Sequence, residues 1–383
     1  MRHLSVGLFT ECYRPIQNGI VASVDALAHV LRSEGHDATV VTPAMPGFHD
    51  ADGDVVRLHS LPLPTRTAYR LTVPYYSRGA ASAFSIVHAH SPFVTGFVAL
   101  REARRARVPL VFTYHTQLEA YAHYVPFERR ATRALATHLT RAYGNAADAV
   151  IVPTRAMETR LRELGVRARI AVVPSGIDVA FFAGGRRRDD LRARLGVRRD
   201  EKMILTVGRL GREKNVELAL AAFAHLDDPA ARFVVVGDGP HRAALEAVAR
   251  RLGIAARTTF AREFARAALP DAYASADAFL FASRSETQGL VLVEALAAGT
   301  PVVAVDTPQT REVVGGDARV VMPEPGALAA ALREAVSARP ERPPQPPAAA
   351  LRFDRALIGE RVIDLYASLV PARTISRLTA RAS

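Results

Sequence analysis

Apolar runs alternate with stretches of helical spacing along most of the chain. Residues 4–9 form the first apolar run, residues 20–32 carry apolar side chains at helical spacing, and residues 38–42 form the next run. Strands buried on both faces of a parallel sheet are nearly continuous apolar segments, so this alternation predicts an α/β protein with helix-covered parallel sheets. Further strands are predicted at residues 84–88, 108–113, 147–152, 170–173, 203–207, 233–236, 258–260, 278–281, 302–305 and 319–322.

The alternation is interrupted near the middle of the chain. Pro174-Ser-Gly-Ile-Asp178 ends the first series of strands, and an arginine-rich polar stretch follows at residues 184–190. Because 383 residues exceed what one ordinary core holds, we predict two domains of similar size. They comprise residues 1–178 and residues 179–350.

The C-terminal part is predicted as a separate element. Residues 339–347 are rich in proline and therefore predict a linker rather than a helix. Residues 353–369 are amphipathic, which predicts a helix within the last segment, residues 351–383, that packs back on the first domain. The predicted apolar stripe of this helix consists of Leu357, Ile358, Val362, Leu365, Tyr366 and Leu369.

Charge and cysteine content narrow the class of protein. The net charge is +12, and residues 55–147 contain twelve Arg against three acidic residues. Such a surface attracts the phosphates of lipid headgroups or nucleic acid, and an ordinary solvated surface is the alternative. Cys12 is the single cysteine, and no apolar run approaches the roughly 18–20 residues of a membrane-spanning helix. We expect a cytoplasmic protein, peripheral on the inner face of the cell membrane.

Two acidic residues at a predicted loop–helix junction are candidates for ligand binding. Glu286 lies in a polar loop after an apolar run, and Glu294 lies eight residues later in a helical segment that opens at Gly289. Junctions of this kind bind anions through the free N–H groups of the first helical turn. The carboxylates could act as a hydrolytic pair or bind vicinal sugar hydroxyls, and Glu294 could simply face solvent. The lack of Trp as a sugar platform disfavours hydrolysis.

A second predicted loop, which precedes a helix, carries two cations. Arg209 and Lys214 flank this glycine-containing loop, and lysine occurs only twice in the chain, against 48 arginines. A guanidinium and an ammonium together match the charge of a diphosphate. Two exposed cations are the alternative interpretation.

The first half of the chain contributes two further candidates. Asn18-Gly19 could present backbone N–H groups to a phosphate or form an ordinary turn, and no G-x-G-x-x-G motif accompanies it. His115 follows the strand predicted at residues 108–113, at the carboxyl end where α/β sheets place functional groups. A purely structural histidine is the alternative.

Three motifs together resemble those of GT-B glycosyltransferases of glycosyltransferase family 4. They are Val207-Gly-Arg209-Leu-x4-Asn215, Val235-Val-Gly-Asp-Gly-Pro240 and Glu286-x7-Glu294-Ala-x3-Gly299-x-Pro301-Val-Val. Pro174-Ser-Gly-Ile-Asp178 resembles the interdomain segment of that family, so the resemblance covers nearly the whole chain. It implies two Rossmann-like domains with a cleft between them, and retaining hexosyl transfer from a nucleotide diphosphate sugar with no metal or other cofactor.

The resemblance also implies a role for each candidate residue in donor binding or catalysis. Arg209 and Lys214 would bind the diphosphate and stabilise the charge on the leaving group. Glu286 would bind the sugar hydroxyls and Glu294 the ribose. The remaining implied contacts are backbone N–H groups of Gly289 and Leu290, the approach of Gly19 to the donor phosphate, and His115 beside the reacting sugar. Same-face attack by the acceptor, with the leaving phosphate as the base, is the mechanism that we expect.

Within the family, three segments are similar to glucosyltransferases that act on diacylglycerol. They are Phe9-Thr-Glu-Cys-Tyr-Arg-Pro-x3-Gly19-Ile-Val-Ala-Ser, Tyr114-His-Thr-Gln-Leu-Glu-Ala-Tyr-Ala-His-Tyr124-Val-Pro and Ser285-Glu-Thr-Gln-Gly-Leu-Val-Leu-Val-Glu294. A lipid acceptor agrees with the basic first half, because about 1 kcal/mol per cation could hold the protein on an anionic membrane. The predicted interfacial residues are Arg66, Tyr69, Arg70, Leu71, Tyr75, Tyr76 and Arg78, with a second basic stretch at Arg129, Arg130, Arg133 and Arg141.

The expected activity is therefore transfer of a hexose, with glucose favoured, to a lipid hydroxyl such as that of diacylglycerol. UDP-glucose is the favoured donor and GDP-mannose the alternative. Mannosyl or other hexosyl transfer to a phosphoinositol lipid or a soluble glycan, and epimerisation of a nucleotide sugar on the same fold, remain alternatives. Nucleic acid is not expected as a partner, because no motif that reads it is present.

Overall fold

The computed structural model describes residues 3–51, 53–63, 69–75, 84–119, 128–337 and 346–370. Twelve of the fifteen strands that it describes overlap the predicted apolar runs, and the three short strands Val55–Leu58, Ser60–Pro62 and Arg70–Thr72 were not predicted. All but residues 346 and 347 of the predicted proline-rich linker lie outside the described ranges. The strands are β1 (Ser5–Phe9), β2 (Asp37–Pro43), β3 (Val55–Leu58), β4 (Ser60–Pro62), β5 (Arg70–Thr72), β6 (Ile86–Ala89), β7 (Leu110–Thr113), β8 (Ala149–Val152), β9 (Arg169–Val172), β10 (Lys202–Val207), β11 (Ala231–Val236), β12 (Thr258–Ala261), β13 (Ala278–Phe281), β14 (Val302–Val305) and β15 (Arg319–Val321).

Helices connect most of these strands, and none within the described residues is both long and apolar enough to cross a membrane. Single turns of 3₁₀ helix occur at Arg212–Lys214, Ala255–Arg257 and Arg266–Ala268. The α-helices are α1 (Gly19–Ser33), α2 (Val94–Ala106), α3 (Arg129–Ala146), α4 (Arg155–Glu163), α5 (Val179–Ala183), α6 (Asp189–Arg194), α7 (Val216–Leu226), α8 (Arg242–Arg251), α9 (Leu269–Ser275), α10 (Leu290–Ala297), α11 (Pro308–Val314), α12 (Pro325–Ser337), α13 (Ala348–Leu351) and α14 (Arg355–Leu369).

The first compact unit contains the described residues up to Gly176 and from Arg355 onward. Its sheet has seven parallel strands in the order β3-β2-β1-β6-β7-β8-β9. The chain therefore starts in the middle of the sheet, extends to one edge, and returns beside β1 to extend to the other. This reversal creates a topological switch point between β1 and β6, and β4 and β5 form a separate antiparallel hairpin.

Helix α14 completes the core on one face of this sheet. Its side chains pack with those of α1 and of the central strands in one apolar cluster. The two helices approach closely at Gly359, where an added Cβ would lie 2.3 Å from a methyl carbon of Val30. The predicted C-terminal helix on the first domain is thus confirmed. The prediction that Leu357 belongs to the apolar stripe is wrong, because its side chain is on the outer face and the residue is 46% exposed.

The second unit comprises Ile177–Asp354. Its six parallel strands follow the order β12-β11-β10-β13-β14-β15, which is the Rossmann order 3-2-1-4-5-6. Apolar clusters cover both faces of the sheet, and Phe353, which follows α13, still packs into one of them. The prediction of two Rossmann-like α/β domains is confirmed. The switch point of this sheet lies between β10 and β13.

Candidate active site

Two glycine-containing loops pack against each other at the carboxyl ends of β10 and β11. A Cβ added at Gly237 would lie 2.0 Å from the carbonyl oxygen of Gly208, and one at Gly239 would lie 2.5 Å from that of Leu210. Real side chains cannot approach a backbone so closely, so the contact requires glycine at both positions. It fixes the loop that carries Arg209.

Hydrogen bonds join the loop after β10 to the loop after β13. Asn215, which has a φ of +53° at the start of α7, donates from its side-chain amide to the carbonyl of Ala282 at 3.3 Å. The hydroxyls of Ser283 and Ser285 donate to the carbonyl of Glu213 at 3.2 and 3.0 Å. Since β10 and β13 flank the switch point, these bonds hold together the two loops where α/β sheets bind ligands.

Both cations predicted in this region are paired with carboxylates. The ammonium of Lys214 contacts Oε1 of Glu286, so the structure brings together two residues that the sequence analysis assigned to neighbouring parts of one ligand. Arg209 Nη1 lies 2.8 Å from Oε1 of Glu213, whose carboxylate is buried. The alternative that Arg209 and Lys214 are simply exposed cations is therefore wrong.

Helix α10 begins directly after this cluster, at the carboxyl end of β13. Gly289 precedes the helix with a φ of +82°, in the left-handed region that favours glycine. Leu290 is the first helical residue. The N–H groups of this first turn have no acceptor within the helix, and the helix dipole adds partial positive charge at the same end. The arrangement suits an anionic ligand group.

Glu294 is buried in the second turn of α10, with 5% of its surface exposed. The Tyr273 hydroxyl donates to its Oε2 at 2.8 Å, and Arg266 Nη1 lies 3.7 Å from its Oε1. Burial raises the pKa of the Glu294 carboxyl, and Arg266 and Tyr273 oppose that rise. The solvent-facing interpretation of Glu294 is wrong. Carboxyls perturbed by burial beside one specific cation are concentrated at functional sites.

In the first unit, Gly19 is the first residue of α1 and Asn18 is its N-cap. The Asn18 side-chain oxygen accepts from the N–H of Val21 at 2.9 Å. Its amide group donates to Cys12 Sγ and to the Tyr69 hydroxyl, both at 3.3 Å. Asn18-Gly19 is therefore a capped helix start rather than an ordinary turn, and it presents the Gly19 backbone at a helix N-terminus.

His115 belongs to a cluster of three histidines at the carboxyl ends of β6 and β7. Its Nε2 lies 2.8 Å from Nδ1 of His90, and the His90 ring lies 4.1 Å from the His88 ring, centroid to centroid. Burial lowers the pKa of His115 to about 4 and that of His88 to about 3, and it holds the pKa of His90 well below its ordinary value. All three imidazoles are therefore neutral near pH 7.

Sequence reasoning missed the residues that support the candidates: Glu213, Tyr273, Arg266, His88 and His90. A signal existed for the two histidines, since His88-Ala-His90 ends a predicted strand, as His115 does. Tyr273 and Arg266 carry no local signal, because their partner Glu294 is more than 20 residues away in the sequence. Glu213 is only four residues from Arg209, but the two residues do not lie on one α-helix, so helical spacing did not indicate their pairing. In the described parts of the chain, no cluster of His, Cys, Asp or Glu has a metal-binding arrangement.

The predicted residues divide between the two units. Gly19 and His115 belong to the first, and the other predicted site residues belong to the second. A family model described as Glycosyltransferase Family 4 matches residues 17–181, and one described as Glycosyl transferases group 1 matches residues 187–346. Two Rossmann-like units matched in this way define a glycosyltransferase of the GT-B class.

Known relatives agree with this class. An alpha-monoglucosyldiacylglycerol synthase from Streptococcus pneumoniae is 31% identical, over 81% of this chain and 73% of the relative. A GDP-mannose-dependent alpha-mannosyltransferase from Mycobacterium tuberculosis is 34% identical over 81% of each chain. The structure of sucrose-phosphate synthase from Thermosynechococcus elongatus has a TM-score of 0.77 at 22% identity, covering 96% of this chain and 99% of that one. The chain belongs to glycosyltransferase family 4.

Proposed function

We propose that this glycosyltransferase transfers glucose from UDP-glucose to the hydroxyl of a lipid such as diacylglycerol, with retention of configuration and without a metal. The Lys214–Glu286 pair beside the start of α10 is the observation that carries the proposal. It provides a cation for a leaving diphosphate next to an acceptor for sugar hydroxyls. The 31% identical diacylglycerol-acting relative supports the lipid acceptor, and the mannosyltransferase relative makes GDP-mannose the alternative donor.

The second unit supplies most of the assigned donor contacts. We assign Arg209 and Lys214 to the diphosphate, Glu286 to the hexose hydroxyls and Glu294 to the ribose. The burial of Glu294 supports its assignment, because a carboxylate has about four lone-pair sites and the Tyr273 hydroxyl occupies one of them. The two neighbouring hydroxyls of a ribose can donate to the remaining lone pairs of this buried carboxylate.

Backbone groups and the first unit complete the assignment. The N–H groups of Gly289 and Leu290 would bind donor oxygens, because they lie at the start of α10. Gly19, at the start of α1, is assigned to the donor phosphate, and His115 to the reacting sugar. The neutral state of His115 supports a hydrogen-bonding role rather than an ionic one.

The proposed reaction proceeds on one face of the sugar. The bond from the anomeric carbon to the diphosphate oxygen breaks, and the lipid oxygen bonds to the same face of an oxocarbenium-like centre. The departing diphosphate takes the proton of the lipid hydroxyl. Arg209 and Lys214 stabilise the charge that develops on the diphosphate. Isolation of a covalent glycosyl-enzyme intermediate would refute this mechanism.

Exposed groups on α2 and α3 support docking on an anionic membrane. Arg130, Arg133 and Arg141 are exposed on α3, where Leu135 is 67% exposed. Phe97 on α2 is also half-exposed. Cations that alternate with exposed apolar side chains are typical of interfacial segments.

The predicted interfacial segment around residues 66–78 is only partly available for this role. Arg66, Tyr76 and Arg78 lie outside the described residues. Arg70 donates to the hydroxyl and the carbonyl of Ser60, and Tyr69 is half-buried against Asn18. Both therefore have structural partners, and among the described residues of this segment the exposed apolar groups are Leu71 and Tyr75.

Donor and acceptor can be tested together with the purified protein. Release of nucleoside diphosphate and formation of hexosyl lipid are measured with UDP-glucose or GDP-mannose, with diacylglycerol in anionic or neutral vesicles or without lipid. We expect lipid-dependent turnover of UDP-glucose that is faster on anionic vesicles. Equal turnover with a soluble sugar and no lipid would exclude the lipid acceptor. Conversion of the donor without any acceptor would identify an epimerase instead.

Variants of the donor site test the residue assignments. We expect Lys214→Ala to lower kcat by roughly 100-fold or more, because one stabilising contact to the leaving group is lost. Lys202→Ala is the matched control, because Lys202, the other lysine, lies at the start of β10 and pairs with Asp228. Glu294→Ala should mainly raise the KM for the donor. Unchanged kinetics in both Lys214→Ala and Glu294→Ala would refute the assignment.

A further inference from the structure

His90 is held rigidly beside His115. It follows β6, which pairs in parallel with β7, the strand that leads to His115. The backbone N–H of His90 donates to the carbonyl of Phe9 at 2.8 Å, and the residue is only 3% exposed. Its ring meets that of His115 edge to edge, with 5.1 Å between centroids, 18° between planes and 2.8 Å between the facing nitrogens. Neither ring can turn without losing this contact.

The short contact between the two rings constrains their protons. A hydrogen bond between Nδ1 of His90 and Nε2 of His115, 2.8 Å apart, needs one proton between them. Both imidazoles are neutral, so each ring carries one proton. If His90 holds the shared proton on Nδ1, the proton of His115 is on its Nδ1, and the reverse choice places the His115 proton on Nε2.

The second nitrogen of His90 favours one of these two states. Nε2 of His90 is buried and has no hydrogen-bond partner among the described residues. His90 lines a small pocket together with Ser23 and Ser175, whose hydroxyls form a hydrogen bond with each other at 3.0 Å. A proton on Nε2 would be a buried donor without a partner, at a cost of about 1–3 kcal/mol. Among buried backbone groups an unpaired N–H is rarer than an under-satisfied carbonyl, and we apply the same order to the two nitrogens of this imidazole.

We propose that His90 is a positioning residue that donates from Nδ1 to Nε2 of His115 and holds His115 in its Nδ1-protonated tautomer. His115 then presents a hydrogen-bond donor at Nδ1, and its Nε2 is committed to His90. This inference rests on the proposed role of His115 beside the reacting sugar. It makes His115 a donor to a sugar oxygen rather than a base, in agreement with a mechanism in which the leaving phosphate takes the proton.

The tautomer can be observed without any substrate. Two-bond ¹H–¹⁵N correlation spectra of ¹⁵N-histidine-labelled protein distinguish protonated from bare imidazole nitrogens, and the spectrum of His115→Asn assigns the signals. We expect a protonated Nδ1 and a bare Nε2 for His115 in the wild type. His90→Asn places an amide donor near the position of Nδ1 and should preserve this pattern, whereas His90→Phe should abolish it. A protonated Nε2 in the wild type, or an unchanged His115 pattern in His90→Phe, would overturn the proposal.

Kinetics with whichever donor the wild type turns over give the second readout. We expect His90→Phe to lower kcat by roughly 10- to 100-fold with little change in the KM for the donor, by analogy with residues that orient a functional imidazole through its other nitrogen. His90→Asn should recover most of this loss. His36→Asn, at another buried histidine of the same unit, is the control. If the wild type turns over no nucleotide sugar, the proposed function fails while the spectra still decide the role of His90.

Discussion

Acid should destabilise the first unit through His88. This residue is 1% exposed, and its ring nitrogens lie 2.5 Å from the hydroxyl of Tyr366 on α14 and 2.6 Å from that of Thr113. Burial lowers its pKa to about 3, against about 6.5 in an unfolded chain. The stability that this group contributes is therefore complete above the unfolded pKa and is lost as pH falls toward the folded one. Between about pH 7 and about pH 5 the loss amounts to about 2 kcal/mol.

Replacement of His88 by Asn removes this proton uptake. The variant will be less stable at pH 7, because at least one buried hydrogen bond is lost, at a cost of about 1–3 kcal/mol. Unfolding in urea is followed by circular dichroism. The transition that His88→Asn shifts is assigned to the first unit, which contains His88. Between pH 7 and pH 5 the variant should lose about 2 kcal/mol less than the wild type. His138→Asn, at an exposed position of α3, is the control. Equal pH slopes in His88→Asn and the wild type would refute the reasoning.

Two further predictions concern α10. Gly289→Ala forces a side chain into φ +82° and places Cβ 3.2 Å from Leu292 and 3.3 Å from Phe281, so calorimetry should show a loss of about 1–2 kcal/mol together with weaker donor binding. Gly315→Ala is the control, because Gly315 has a φ of +57° and no atom lies within 4 Å of an added Cβ. This variant should lose stability but keep its affinity for the donor. Equal donor affinity in the two variants would contradict the role of Gly289. Because burial raises the pKa of Glu294, its stabilising contribution is lost as pH rises above 4.5. Glu294→Gln should therefore gain stability relative to the wild type as the pH rises above 4.5, and a constant difference in unfolding free energy over that rise would contradict this.

The sheets were predictable because their strands carry the whole signal within a few residues. Val302–Val305 is buried on both faces, and such a strand must be apolar throughout. The start of α10 was predictable for a similar reason, since glycine at position 289 ends the preceding loop. The order of the strands was implied only by the family resemblance, because pairing depends on residues far apart in the chain.

The arginine-rich stretch near residue 187 shows where local patterns fail. By composition it predicts a solvated boundary, yet Arg192, two residues beyond it, is 1% exposed. Its guanidinium donates to the carbonyl of Ser275 at 2.8 Å and to the carboxylate of Asp277 at 3.0 Å. A charged side chain is buried only where such partners meet it. These partners lie more than 80 residues away in sequence, so no window of the sequence predicts the burial.

The candidate site contains both a locally predictable feature, the start of α10, and a contact between distant segments, the Lys214–Glu286 pair. This pair determines which ligands the site favours. Lys214 and Glu286 are only partly exposed, at 25% and 21%, and they contact each other. In the resting site each charge is offset by the other, so a ligand that separates the two groups has to replace the contact that each of them loses. On the proposed assignment, a diphosphate replaces Glu286 beside Lys214 while sugar hydroxyls replace Lys214 beside Glu286. A nucleotide or a free sugar alone offsets only half of this exchange, so the pair favours the intact nucleotide sugar over its fragments.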